Sequence, residues 1–356
     1  MSKQLRFIDL FAGIGGFRIA LERLGMQCVF SSEINASARK VYEKNFGELP
    51  AGDITKIPPK EMVDFDILTG GFPCQPFSLN GKKEGFEDKT RGTLFFNIAE
   101  IISVKKPEIV FLENVKGIVT HDRGKTLKTV LETFANLGYF THTKVLNTYD
   151  FGIPQYRERW YCVAFRKDIE FKFPEGKLAG TTLADVIDID HVDEQLHLPQ
   201  VELDRIDHHF REYHNTPRVP HDNSHCHPKS KTGKYGIFSY LKLDNSLRFH
   251  MGDDAKSQIQ DDYYVSVKGV SPTLIATRAP KLWDLRRRLS VAECKRLQAF
   301  PDDYNFSDVS IAVAKKQLGN AVTVKVVEEI ARNIFNYYQA NVARKVELKE
   351  EQLELI

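Results

Sequence analysis

The first 166 residues alternate short apolar runs with amphipathic segments, and this alternation restricts the fold more than any other feature of the chain. Residues 7–11, 28–30, 67–69, 109–112, 144–147 and 160–165 read as strands. Residues 17–24, 36–45, 94–104 and 126–137 carry helical periodicity, and Gly25 and Gly138 stop the first and last of them. Such an order predicts an α/β domain with a mostly parallel sheet covered on both faces. Open sheets of this kind bind ligands beyond the carboxyl ends of their strands. Chemistry is therefore expected in the segments that follow each strand.

One of those segments is Gly70-Gly71-Phe72-Pro73-Cys74-Gln75-Pro76-Phe77-Ser78. A structural cysteine belongs inside an apolar run, whereas Cys74 sits between two prolines just past one. Thiolate is the nucleophilic form of cysteine, and an exposed strand end suits covalent catalysis. Another segment, Asp9-Leu10-Phe11-Ala12-Gly13-Ile14-Gly15-Gly16-Phe17, joins the first strand to the first helix. Its glycines let the backbone approach a ligand closely. Glu33 lies 20 residues after Gly13, where an acid can hold ribose hydroxyls. Asp53 follows the next strand-like segment and suits an adenine amino group. A dinucleotide fingerprint would need a third glycine where Arg18 stands. Gly13, Gly15, Glu33 and Asp53 fit a single nucleoside better, such as S-adenosylmethionine; a tight turn with ordinary surface acids is the alternative.

Composition excludes several classes. With 42% apolar and 28% charged residues, the 356-residue chain reads as globular. No apolar run approaches the ~20 residues of a membrane span. The opening segment is broken by Asp9 and Arg18, so no secretory signal is expected. Five scattered cysteines predict reduced thiols and a cytoplasmic protein. A net charge of +2 neither demands nor excludes a nucleic-acid partner.

After about Phe173 the texture changes. Eight of the eleven histidines lie between His191 and His227, in a stretch without sustained periodicity that reads as short strands and loops. The spacing of His208, His209, His225, Cys226 and His227 fits no familiar zinc pattern, so solvated loop histidines and no metal are expected. Ser290 and Glu293 form a capping-box pair at the start of a late helix over 290–299. A last helix is expected over 322–338, and the charged tail after Asn341 is expected to fray.

Four further motifs make the reading specific. They are Phe111-Leu112-Glu113-Asn114-Val115, Gln155-Tyr156-Arg157-Glu158-Arg159, Arg287-Arg288-Leu289-Ser290-Val291-Ala292-Glu293-Cys294 with Leu297-Gln298-Ala299-Phe300-Pro301-Asp302, and Gln317-Leu318-Gly319-Asn320-Ala321-Val322. In this order, with the glycine-rich loop and Pro73-Cys74-Gln75, they closely resemble the cytosine-5 DNA methyltransferases of bacterial restriction–modification systems. The likeness covers residues 5–166 and about 284–340.

The resemblance implies an S-adenosylmethionine-dependent, Rossmann-like large domain over 1–184 and a smaller, irregular β-rich target-recognition domain over 185–310. Residues 311–342 would return to the large domain, and 343–356 would be a tail. Cys74 would attack cytosine C6, Glu113 would hold or protonate the ring at N3, and Arg157 and Arg159 would support the base and the catalytic loop. Phe11, Gly13, Gly15, Glu33, Ile34, Asp53, Leu94, Asn320 and Val322 would bind the cofactor, with Ile34 where relatives often carry an aromatic. Gln75, Ser78, Asn80, Lys82 and Arg91 would form a mobile lid on double-stranded DNA, and Lys234 and Thr273 would contact it from the small domain. Lys229, Lys231, Tyr235, Arg248 and Arg278 are weaker candidates there. A monomer is expected, linked in function to a cognate restriction endonuclease without a required complex. A tRNA cytosine-5 methyltransferase is the rival; the sizeable region between Phe173 and Arg287 favours DNA.

Overall fold

The computed structural model describes residues 4–73, 94–177, 180–190, 193–213, 218–225, 235–252 and 259–354. A six-stranded sheet holds β1 (Arg6–Leu10), β2 (Gln27–Ser32), β3 (Ile67–Gly71), β4 (Ile109–Val115), β5 (Phe140–Asn147) and β7 (Glu158–Phe165), in the order β2-β1-β3-β4-β7-β5. The first four are parallel neighbours, while β7 runs antiparallel to β4 and β5. The expected mostly parallel sheet is thus present, with one reversed strand.

Alternate residues of these strands face opposite cores. Phe7, Ile67, Ile109, Phe111, Tyr161 and Val163 join one cluster with α1 (Gly16–Glu22) and α2 (Ala36–Phe46). Ile8, Leu10, Leu68, Val110, Leu112 and Cys162 join the other with α3 (Leu94–Lys105) and α4 (Lys125–Asn136). Burial on both faces explains why the strands read as apolar runs and not as alternation. Asn35 fixes the start of α2 by accepting from the N–H groups of Ser37 and Ala38.

A short strand, β6 (Gln155–Tyr156), pairs with β12 (Ser271–Pro272) outside the main sheet. A separate antiparallel sheet has the order β11-β10-β9-β8, from β8 (Val219–His225), β9 (Tyr235–Leu241), β10 (Leu247–Gly252) and β11 (Ile259–Tyr264). This is the β-rich smaller region that the sequence predicts.

Helix α5 (Gln200–Glu212) differs from expectation, because this stretch reads as strands and loops in the sequence. Its apolar stripe is narrow: Leu203, Ile206 and Phe210 pack against Leu247, Phe249 and Tyr264, and polar or charged residues fill most of the rest. His208 and His209 therefore lie on a helix, not in a solvated loop, and His209 is fully buried.

The chain then returns to the first core. Helix α6 (Val291–Leu297) starts at the Ser290/Glu293 capping box, as expected. Glu293 also pairs with Arg287 at 2.7 Å, both buried. Tyr304 donates to the Ile14 carbonyl at 2.6 Å, tying the returning chain to the glycine-rich loop. The Gln317–Val322 motif lies ahead of the last helix. It closes α7 (Ile311–Asn320), and α8 begins only at Val324. Nor does the backbone fray after Asn341: α8 continues to Glu354 through a sequence of strong helix formers, Glu, Lys and Leu. Among the described residues, no helix is long and apolar enough to cross a membrane.

Candidate active site

A cavity of about 530 Å³ opens at the carboxyl ends of β1 to β4 and is closed over by α7 and the turn after it. Phe11, Gly13, Glu33, Ile34, Leu94, Glu113, Arg157, Arg159, Asn320 and Val322 all line it. These ten come from six separate stretches of sequence, and the fold gathers them at one place.

One half is built by the glycine-rich loop and the end of β2. The Glu33 carboxylate accepts from the Gly13 N–H at 2.8 Å and from the Asn35 N–H at 2.7 Å. Each oxygen keeps acceptor capacity for a hydroxyl donor. Beside it, Ile34 is 72% exposed, an apolar side chain held open on the cavity wall. A carboxylate next to an apolar shelf suits a nucleoside, with its ribose diol and flat base. Gly15 is not in the lining. Its φ is +76°, and an added Cβ would stand 2.3 Å from Phe46 Cε2, so its smallness serves close packing. Asp53 is also outside the lining. It caps the turn Ile54–Lys56, accepting from Thr55 N and Oγ1, and these bonds hold its pKa below the usual carboxylate range.

The other half is built by the ends of β3, β4 and β7. Glu113 is buried, and Arg159 Nε lies 3.1 Å from its Oε1. Burial pushes the Glu113 carboxyl up, against the pull of Arg159 and Arg157. Arg157 is wholly enclosed. Its guanidinium donates to the carbonyls of Leu274 (2.6 Å), Gly319 (3.2 Å) and Ala321 (2.6 Å). Burial lowers its pKa to about 9. Pro73 lines the cavity as the last described residue before Cys74. Cys74, Gln75, Ser78, Asn80, Lys82, Arg91 and Lys234 lie outside the described residues.

Thr273 faces a second, open cleft of about 610 Å³, which shares Val115 and Arg159 with the first. Its hydroxyl donates to the Tyr156 carbonyl at 2.7 Å.

Two further residues belong to the site. Asn114 Nδ2 donates to the Phe72 carbonyl at 2.9 Å, in the turn that leads to Cys74. Gln317 lines the cavity and donates to Ser37 Oγ at 3.1 Å, closing α7 against α2. Both stand in quoted motifs, and the signal for Asn114 was a polar side chain directly after the strand-end carboxylate. Beneath the loop, Asp9 is fully buried, accepts from Thr69 Oγ1, and is pushed up to about 7 by that burial.

Residues 5–336 match the family model described as C-5 cytosine-specific DNA methylase. The chain is 41% identical over 341 residues to the Type II methyltransferase M.HhaI of Haemophilus parahaemolyticus, covering 93% of this chain and 94% of that one. It is 43% identical over 326 residues to M.NgoBI of Neisseria gonorrhoeae, covering 90% of each. Among solved structures, the Dnmt2 methyltransferase of S. pombe superposes with a TM-score of 0.64 at 20% identity, over 94% of this chain and 99% of that one. The chain belongs to the C-5 cytosine-specific DNA methylases, S-adenosylmethionine-dependent enzymes, and has their Rossmann-like fold with a smaller β-rich region.

Proposed function

We propose that the enzyme swings one cytosine out of a short duplex site and attacks its C6 with the Cys74 thiolate. The single observation that carries this reading is that Glu33 and Glu113 line one cavity, with Pro73 on its wall. One half suits a nucleoside cofactor and the other a base.

Cytosine C5 is a poor nucleophile until C6 is saturated. A bond from sulfur to C6 turns the ring into an enamine whose C5 can take a methyl group. Glu113, with its pKa raised, supplies a proton or hydrogen bond at N3, so that the attack builds no unstabilised anion. Arg159 keeps Glu113 in place and faces the open cleft from which the base would enter. Arg157 is a positioning residue, since its guanidinium is engaged by three carbonyls. Loss of the C5 proton and expulsion of the thiolate then restore the ring.

Bound in the other half, S-adenosylmethionine supplies an electrophilic methyl group. Glu33 would hold its ribose, Phe11 and Ile34 its adenine, and Leu94, Asn320 and Val322 would close the cavity around it. Asp53 reaches the adenine amino group only by adding to its capping role. A base within a duplex is out of reach, which requires flipping. Gln75, Ser78, Asn80, Lys82 and Arg91 would close over the DNA, with Lys234 and Thr273 contacting it from the other side. Relatives bear the name Type II methyltransferase. By that likeness the mark would protect DNA from a cognate restriction endonuclease, the methyltransferase acting as a cytoplasmic monomer outside any required complex.

Bisulfite sequencing tests this reading, on DNA from a host that lacks its own cytosine methylation and expresses the protein. Methylation at one short motif is expected. Cys74→Ala should abolish it while DNA binding persists, and turnover by that variant would overturn the mechanism. An unmethylated genome with folded protein present would move the substrate to RNA.

A further inference from the structure

Cations on this side of the molecule are mostly matched by acids. Arg286 pairs with Asp207, Arg287 with Glu293, and Lys281 and Arg288 both pair with Glu202. Two further arginines share one ring. Arg248 and Arg278 place their guanidiniums 4.4 Å and 4.7 Å from the ring centroid of one tyrosine, Tyr263. Neither has a carboxylate partner among the described residues. Two like charges against one ring, with no acid among the described residues to balance them, suit an electron-rich partner from outside.

The geometry also restricts how that partner is met. Arg248 stands directly across from Tyr263 in the β10–β11 ladder, so their contact is set by strand register. Arg278 is exposed and ends a tight turn in which Ile275 and Arg278 exchange backbone hydrogen bonds at 3.3 and 3.2 Å. The residues before that turn are pinned to the catalytic region. Thr273 Oγ1 donates to the Tyr156 carbonyl, Leu274 N donates to Gln155 Oε1 at 2.8 Å, and Arg157 donates to the Leu274 carbonyl. Arg278 thus stands on an anchored turn, five residues after Thr273, which lines the open cleft that also holds Arg159.

We propose that Arg278, aimed by its contact with Tyr263 beside Arg248, reads a guanine next to the target cytosine. A phosphate needs only a nearby charge, and flexible lysines serve it. A fixed, planar fork suits a base edge, and guanine offers two acceptors, O6 and N7, side by side in the major groove. Tyr263 and Arg248 are positioning residues in this arrangement. The inference rests on the DNA reading above and deepens it by naming a residue that selects the site.

The test expresses the unsubstituted protein, Arg278→Ala and Arg278→Lys in a host lacking cytosine methylation, and maps the methylated motif of each by bisulfite sequencing. Both variants should relax one guanine position by roughly ten- to a hundredfold, since lysine keeps the charge but not the fork. Restoration of the full motif by lysine would overturn the proposal. So would an even loss across all sites in the alanine variant, the signature of a phosphate contact, or an unchanged motif. The unsubstituted protein tests the underlying reading separately: if it marks no motif, that reading fails and the role of Arg278 fails with it.

Discussion

Arg159 Nε stands 3.1 Å from Glu113 Oε1, with the two side chains only 13% and 11% exposed. Burial alone favours the neutral carboxyl, and the arginine restrains that preference without cancelling it. Glu113 therefore keeps its proton to a higher pH than an ordinary glutamate. Replacing Arg159 with methionine removes the restraint, so the Glu113 pKa rises further. The alkaline limb of kcat/KM, where the acid form is lost, should move to higher pH. Turnover itself should fall on the order of a hundredfold as the acid loses its orientation. A pH–rate profile checks both, and an unmoved alkaline limb would dissociate Glu113 from the acid role.

Asn114 tests whether the turn before Cys74 has to be held. Its amide donates to the buried Phe72 carbonyl, two residues before Cys74. Asn114→Ala leaves that carbonyl without this donor, at a cost of about 1–3 kcal/mol. Turnover should drop tenfold or more, while the KM for S-adenosylmethionine changes little, because the Glu33 half of the cavity is untouched. Equal changes in both constants would mean general loosening, not a misplaced nucleophile.

The sheet was legible because its first four strands are short, apolar and followed by helices, a pattern that survives without any tertiary knowledge. The cavity lining was largely legible too, through motifs that sit directly after those strands. Other features depend on contacts the sequence does not print. Arg157 reads as a base-supporting arginine, yet its partners lie 117 to 164 residues away, and they turn it into a tie between β6–β7, the segment before Ile275 and the end of α7. Helix α5 was hidden because three apolar residues suffice to bury it against a small sheet. The break between α7 and α8 at Ala321 was hidden because Val322 and Val324 continue an apolar pattern across it.

Gly319 is where the returning chain meets the turn from Ile275 to Arg278. A Cβ there would stand 2.4 Å from the Ile275 carbonyl carbon and 2.6 Å from the Ala276 nitrogen, both backbone atoms that cannot rotate away. Gly319→Ala should therefore force the two segments apart, destabilising the protein by about 1–3 kcal/mol. Asn320 is the next residue, so the KM for S-adenosylmethionine should rise as well. Urea unfolding and a cofactor titration check the two effects. An alanine variant as stable as the parent would show that the approach is looser than 2.4 Å implies.

Two histidines of the small region converge on one hydroxyl. His209 Nδ1 lies 2.7 Å and His221 Nε2 2.6 Å from Ser239 Oγ. Burial lowers both pKa values to about 4; His208 adds to this at each, and Arg205 and His209 add to it at His221. In the unfolded chain the same rings titrate near 6.5. The unfolded state thus binds protons that the folded state refuses, and stability falls as the pH is lowered across that interval. It should be complete above about pH 6.5 and decline continuously toward pH 4, with His209 alone accounting for roughly 3 kcal/mol. His209→Gln keeps an amide beside Ser239 and cannot titrate, so its urea midpoint should fall less steeply between pH 6.5 and 4.5. Parallel slopes for the variant and the parent would show that His209 is free to take up its proton in the folded state.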